Sequence, residues 1–285
     1  RVRERDLWAC HLGPHLGGKG YGQVKLALMN ELLGRSSFAP SVFGCQAPDS
    51  GNAEILAHFG TDSQKARYLE PLLAGEISST YSMTEPQAGS DPNYFTCRAL
   101  RDGDQWVING EKWFASNFRF ATFAIVMVIT DPDVPVYRGS SMILVPADSP
   151  GFSYTPVHTV AGVGTSATYY EDVRVPVGNL VGELNGGWSL MTNQLNHERI
   201  VLAIPGVAES AFQHVWDWCG KTPAREGGTL LDQQWVQILL AKVHAKLQAL
   251  MVLNWRSAWA LSEGIPDMAD ASALKVMLQP VSCAH

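Results

Sequence analysis

The spacing of apolar positions changes twice along the chain and divides it into three stretches. Over residues 1 to about 80 the spacing is helical: Asn52 to Phe59 reads as a helix closed by Gly60, and Thr61-Asp62-Ser63-Gln64 reads as a capping box opening a helix that ends at Gly75. From about 81 to 185 short strand-like runs take over, at Trp106 to Ile108, Phe123 to Thr130, Ser141 to Val145 and Thr168 to Val175, separated by Asp102-Gly103, Asp131-Pro132 and Ser149-Pro150-Gly151. They predict a β domain, a small barrel. Beyond Gly186-Gly187 the helical period returns over Trp188 to Cys219, Asp232 to Glu263 and Ala269 to Gln279, with Pro266 and Pro280 as punctuation. The expectation is an α+β chain with an all-α domain over 1–80, a β domain over 81–185 and a helical bundle over 186–285.

Composition narrows the partners. With 285 residues, 46% of them hydrophobic and 17% charged, the chain is long enough to bury a large core. A net charge of −6 and no cluster of Lys and Arg interleaved with aromatics argue against a nucleic-acid footprint and favour small molecules. The longest clear apolar run, Phe123 to Ile129, is of strand length, well short of the roughly 20 residues that span a bilayer, so no membrane segment is expected. The charged start Arg1-Val2-Arg3-Glu4-Arg5-Asp6 has no apolar signal core behind it, which points to the cytoplasm. Cys10, Cys45, Cys97, Cys219 and Cys283 are scattered and odd in number, the pattern of reduced thiols. Gly13 and Pro14 break the helix that would align His11 with His15, so no metal site is expected. Gly17-Gly18-Lys19-Gly20-Tyr21-Gly22 lacks the G-K-[ST] of a phosphate loop and reads as structural.

Candidate chemistry lies in the run Tyr81-Ser82-Met83-Thr84-Glu85-Pro86-Gln87-Ala88-Gly89-Ser90-Asp91. Pro86 fixes φ and Gly89 permits a positive φ, so the run reads as a rigid turn with N–H groups and hydroxyls free to grip a polar ring edge. Its T-E-P-x-A-G-S-D core resembles the signature of the acyl-CoA dehydrogenase family. Ile108-Asn109-Gly110-Glu111-Lys112-Trp113-Phe114-Ala115-Ser116-Asn117 is similar to that family's I-N-G-x-K-x-W-I-T-N strand. By themselves Trp113 and Phe114 read as core aromatics and Asn109-Gly110 as a plain hairpin turn; the pairing of the two motifs raises them to candidates. The α, β, α order also matches the family, so the resemblance covers nearly the whole chain.

The resemblance implies FAD as cofactor and dehydrogenation of an acyl-CoA between its α and β carbons. It places Tyr81, Met83, Thr84, Gly89, Ser90, Phe114, Ser116 and Gln234 at the flavin, and Ser90 and Arg199 at the substrate. Phe114 and Ser116 stand where Trp and Thr are commoner. The reaction needs one carboxylate to take the α-proton while the β-hydrogen leaves as hydride, and burial raises a glutamate pKa toward that task. Isovaleryl- and long-chain-type members carry this base in an x-E-R run, which corresponds to Glu198 in Leu195-Asn196-His197-Glu198-Arg199. The bland reading of Glu198 is a helix glutamate paired with a neighbour.

Against the family pattern the chain is short at both ends of the helical parts, and the tail that in many members carries a flavin-contacting loop and the base is not represented. Gly220-Lys221-Thr222-Pro223-Ala224-Arg225-Glu226-Gly227-Gly228 replaces the R-x-x-F-G segment that touches a neighbouring subunit's flavin, and Val160 to Ser166 replaces a basic segment linked to CoA recognition. These departures resemble a bacterial subgroup, some of whose members work in pairs on steroid side-chain thioesters, within fatty acid or steroid side-chain β-oxidation. The implied partners are an acyl-CoA, an electron-transferring flavoprotein and further subunits, homo- or hetero-oligomeric, that cover apolar helix faces. Two alternatives stay open: a flavin oxidase or monooxygenase on the same fold, and a non-catalytic partner subunit.

Overall fold

A computed structural model describes residues 1–36, 38–160, 162–192, 204–265 and 267–282. By contacts the chain forms two compact units, Arg1–Gln46 with Asn196–His285, and Ala47–Leu195. The division does not follow chain order at residue 80, because the helices over 47–74 pack on strands.

In the second unit the strands are β1 (Ser79–Ser82), β2 (Arg98–Asp102), β3 (Gln105–Ser116), β4 (Phe123–Ile129), β5 (Ser140–Pro146), β6 (Phe152–Thr159), β7 (Gly162–Pro176) and β8 (Leu180–Val181). Their order is β6-β7-β3-β2-β4-β5-β8, with β1 added in parallel to β4. Among the described residues this ladder, with β6 and β8 at its ends, builds the expected β domain. β2 and β4 share only the pair Arg98↔Ile129, while β4 spends the rest of that edge on β1.

β4 is buried along Phe123 to Val128, which explains its unbroken apolar run: both of its faces are covered. Ala124, Val126 and Val128 join Ile108, Ile143, Val145, Tyr170 and Val173 in the main sheet core. On the opposite face Met127 packs against Ala88, Phe95 and Val136, and the Phe123 ring lies 4.7 Å from Tyr68. That second face therefore seats both the helices before β1 and the turn after it.

Helix α2 (Asp49–Phe59) enters β1 through polar bonds. Ser79 donates from N and Oγ to Asp49 Oδ1 at 2.6 and 2.7 Å, and Asn52 donates to Ser79 Oγ at 2.9 Å. Burial pushes the Asp49 carboxyl up, against the pull of the two Ser79 bonds. The capping box at Thr61 is present in both directions, and the helical run it opens ends at Gly75 in the left-handed conformation. Gln64 also ties that run to the sheet, donating to the carbonyls of Gly178 and Leu180, each at 2.8 Å.

Four strands lie outside the predicted runs, the two-residue β8 among them. β1 is Ser-Thr-Tyr-Ser, polar yet buried, so Tyr81 and Ser82 belong to a strand and not to the turn. β2 is short and polar. β6 is exposed and contains Pro156, tolerated because β6 is an edge strand. Asn109-Gly110 is no hairpin turn: it sits inside β3 at a bulge, and the β2–β3 hairpin turns at Gly103-Asp104 instead.

In the first unit α1 (Gln23–Leu33), α3 (Ile204–Lys221), α4 (Gln234–Ser262) and α5 (Met268–Ser282) form a bundle. Ala27, Leu250, Ala258 and Leu274 make its centre. α1 and α3 approach so closely that a Cβ on Gly206 would lie 1.9 Å from the Glu31 carbonyl oxygen, which requires glycine there. Trp255 donates to Glu31 Oε2 at 3.0 Å and Arg35 pairs with Glu209 at 2.8 Å. Residues 1–22 are short 3-10 pieces and turns where helix was expected, since glycines at 13, 17, 18, 20 and 22 interrupt them. In that stretch Lys19 of the glycine-rich loop donates to Asp6 Oδ1 at 2.6 Å. α5 runs through Pro280 to Ser282, three residues past the expected end at Gln279.

α4, with 29 residues, is long and apolar enough by length and composition to cross a membrane, contrary to the expectation from unbroken apolar runs. Packing accounts for part of that composition, since Leu247, Leu250, Met251 and Ala258 are buried in the bundle. Trp235, Leu239, Val252 and Trp259 on the same helix are exposed.

Candidate functional site

The Met83–Asp91 segment leaves β1 and folds back on itself. Glu85 N donates to the Ala88 carbonyl at 3.1 Å and Ala88 N to the Glu85 carbonyl at 3.0 Å, which closes a tight turn around Pro86-Gln87. Ala88 is buried against Met127, so the apolar floor of the turn belongs to the β4 face described above. Gly89 and Ser90 stay exposed at the turn's end. The backbone of Gly89 does not take a positive φ, contrary to the expectation, and a Cβ there would meet nothing within 4 Å.

Buried charge holds the turn to β3. Lys112 Nζ lies 2.8 Å from Glu85 Oε1, with both side chains fully excluded from solvent. The same ammonium donates to the Met83 carbonyl at 2.9 Å and sits 4.3 Å from the centre of the Phe95 ring. The Glu85 carboxylate also accepts from Gln87 Nε2 and Thr96 N, each at 2.7 Å, Thr96 Oγ1 at 3.0 Å and Cys97 N at 3.1 Å. Burial by itself would push the Glu85 carboxyl up; the Lys112 charge and the Thr96 and Cys97 N–H groups outweigh it and hold it below its ordinary range. Burial pushes the neighbouring Cys97 thiol up to about 11, so it stays neutral beside the pair.

Next to Lys112 the β3–β7 register breaks between Lys112 and Ala115. At this bulge Trp113 N donates to the Thr84 carbonyl at 2.7 Å, which joins strand and turn directly. Phe114 adopts φ +61° and is 51% exposed, a left-handed aromatic residue turned outward. Such a conformation costs about 1–3 kcal/mol and persists where surroundings over-determine it, often at functional sites. Trp113 meets the Phe114 ring edge-on at 5.8 Å. Ser116 is exposed while its carbonyl accepts from Thr80 Oγ1 at 2.6 Å.

The structure thus brings Tyr81, Met83, Thr84, Gly89, Ser90, Phe114 and Ser116 onto β1, its turn and the facing part of β3. Tyr81 and Met83 are half-buried, with the Tyr81 hydroxyl 3.8 Å from Met83 Sδ, and Thr84 is half-buried, its carbonyl accepting from Trp113 N. Gln234 is exposed at the first residue of α4 in the helical unit. Glu198, Arg199 and His197 lie outside the described residues. Glu85, Lys112 and Thr165 had no role in the sequence reading; the first two stood inside the two quoted motifs, which was the signal available for them.

Two polar atoms near this surface lack partners among the described residues. Trp113 Nε1 and Thr165 Oγ1 are buried and unbonded, and Thr165 is the register partner of Ser116 across β3 and β7. Unsatisfied buried donors are uncommon. An outward aromatic, nearby hydroxyl and indole donors and an open glycine suit a planar aromatic ligand with a polar edge. Those features fit a flavin, which Phe114, Ser116, Thr84 and the Gly89-Ser90 backbone would hold. Among the described residues no group of His, Cys, Asp and Glu is arranged to hold a metal.

A strand-and-turn surface that fits a flavin, on a mixed sheet in a chain that also carries a helical bundle, agrees with the flavoprotein class. The N-terminal, middle and C-terminal domain descriptions of acyl-CoA dehydrogenase match residues 1–76, 80–173 and 185–284, and the chain belongs to that family of oxidoreductases. It is 41% identical over 281 residues to acyl-CoA dehydrogenase FadE26 of Mycobacterium tuberculosis, covering 95% of this chain and 69% of that protein. It is also similar to the ChsE4-ChsE5 complex of Mycobacterium tuberculosis, with TM-score 0.84, 38% identity and coverage of 98% of this chain and 72% of that one. A further solved relative, the Tcur3481-Tcur3483 steroid ACAD, has TM-score 0.84 and 37% identity, covering 98% of this chain and 71% of that one. The chain spans about two thirds of the length of the curated relatives it matches first.

Proposed function

We propose that this chain binds FAD on the β1 turn and the β3 bulge and dehydrogenates an acyl-CoA thioester between its α and β carbons. The observation that carries the reading is Phe114, held outward at φ +61° directly beside a turn clamped by a buried ion pair. When bound, the flavin supplies the hydride acceptor. Phe114 offers the face of an aromatic ring, Ser116 and Thr84 offer hydroxyls at its edge, and the apolar floor of Ala88, Phe95 and Met127 stiffens the turn from below. Glu198 is the proposed base for the α-proton, Arg199 a contact for the thioester, and Gln234 a further flavin contact. Similarity to a steroid ACAD and to the ChsE4-ChsE5 complex supports a steroid side-chain substrate and a hetero-oligomeric assembly. An electron-transferring flavoprotein is the proposed electron acceptor.

The test is anaerobic addition of steroid side-chain and straight-chain acyl-CoAs to the purified yellow protein. Bleaching of the visible flavin band by one class, lost in Glu198→Gln, is the expected result. A flavin-loaded wild-type protein that no acyl-CoA bleaches, alone or with a paralogous subunit, would refute dehydrogenation. The pairing in the two related complexes also favours a second reading, that this chain completes a paralogue's site; a colourless protein that restores activity to such a paralogue would establish it.

A further inference from the structure

The proposed flavin surface stands on an ion pair that the reaction itself does not use. Lys112 and Glu85 are both fully buried, although an apolar pair of the same volume would fill the space with no desolvation penalty. What an apolar pair could not do is join three segments at one point. The Lys112 ammonium reaches the Met83 carbonyl and the Glu85 carboxylate on the turn, and the carboxylate in turn holds Gln87, Thr96 N and Cys97 N. Lys112 is also the last β3 residue in register before the bulge that presents Phe114. One side chain therefore fixes both halves of the surface, the turn through Met83 and the bulge through its own backbone.

We propose that the Glu85–Lys112 pair is a positioning device for the flavin, in which Lys112 sets cofactor affinity by locking the Met83–Ser90 turn against the Phe114 bulge. The assignment rests on the flavin reading above. A lysine is suited to it because a single ammonium carries three donors and can satisfy a carboxylate and a carbonyl at once. Losing the lock leaves the turn free to sample arrangements that do not match the flavin edge, so affinity falls by the fraction of time the competent arrangement is populated.

Apo-protein is titrated with FAD by flavin fluorescence, in parallel with a thermal melt of the apo form. Wild type is expected to bind. Lys112→Met is expected to bind at least about tenfold more weakly and to melt earlier, because it strands the Glu85 charge. The neutral double variant Glu85→Gln/Lys112→Met removes both charges; its melt is expected to return toward wild type while FAD affinity stays about tenfold weak. A merely structural pair would recover both together, and a double variant with wild-type melting and wild-type FAD affinity overturns the positioning role while leaving the flavin reading intact. If wild-type protein takes up no FAD, both fall. Should the double variant not fold, Gln87→Ala decides. Gln87 is exposed and donates to Glu85, Tyr94 and Thr96, so its loss is expected to weaken FAD binding several-fold with the melt unchanged. Unchanged affinity there overturns the proposal.

Discussion

Two glycines on or beside the proposed site make opposite predictions, and the pair separates a ligand cradle from a packing constraint. At Gly110 the backbone holds φ +140°, and a Cβ would lie 2.6 Å from Cys97 Cα and 2.7 Å from its Cβ. Backbone atoms cannot swing away as a flexible side chain can. Strain in that conformation costs about 1–3 kcal/mol and overpacking about another 1–3 kcal/mol, so Gly110→Ala is expected to lose about 3 kcal/mol or more. For a unit of this size that is a fall in Tm of roughly 10 °C. At Gly89 the backbone is compatible with alanine and nothing lies within 4 Å, so Gly89→Ala is expected to be neutral or to gain up to about 1 kcal/mol. Its methyl group, however, would occupy the space proposed for the flavin edge, and FAD affinity should fall about tenfold, or ~1.4 kcal/mol. Urea unfolding with an unchanged m-value and FAD titration of the two variants measure both quantities. A Gly89→Ala protein that binds FAD as tightly as wild type would refute the cradle, and a Gly110→Ala protein of wild-type stability would refute the packing argument.

Phe114→Gly should relieve about 1 kcal/mol or more of left-handed strain and so melt no earlier than wild type, yet lose the visible flavin band on purification; a variant that melts earlier but stays yellow contradicts the assigned role. Glu85 has a folded pKa below its ordinary 4.5, so it contributes stability above pH 4.5 that is lost as pH falls through the lower folded value. The stability advantage of wild type over Glu85→Gln is therefore expected to be full at neutral pH and to shrink below pH 4.5, and urea midpoints that differ equally at all pH values would exclude this origin. Thr61→Ala removes the hydroxyl half of the capping box and should cost about 1 kcal/mol, read as a shift in urea midpoint; no shift would mean that the Gln64 bonds to Gly178 and Leu180 hold the helix start by themselves.

Legibility in the sequence followed the range of the interactions involved. The capping box at Thr61, the stop at Gly75 and the buried run of β4 are set by residues a few positions apart, or by a strand with both faces covered, and pattern reading finds them. The two motifs, and with them the family, were equally visible, because they are contiguous. What only the folded chain decided depends on partners far away in sequence. Ser79 to Ser82 becomes a buried strand because Asp49, Asn52, Ser116 and Thr168 satisfy its polar groups, and no local propensity foretells that. Asn109-Gly110 looks like a turn by itself, but β2 on one edge and β7 on the other keep it extended as a bulge. Lys112 and Glu85 are 27 positions apart and read singly as solvated charges; only the sheet that carries one beneath the turn of the other makes them a buried pair. Local composition can name the residues of such a site, whereas their geometry is a product of strand pairing, which is non-local by nature.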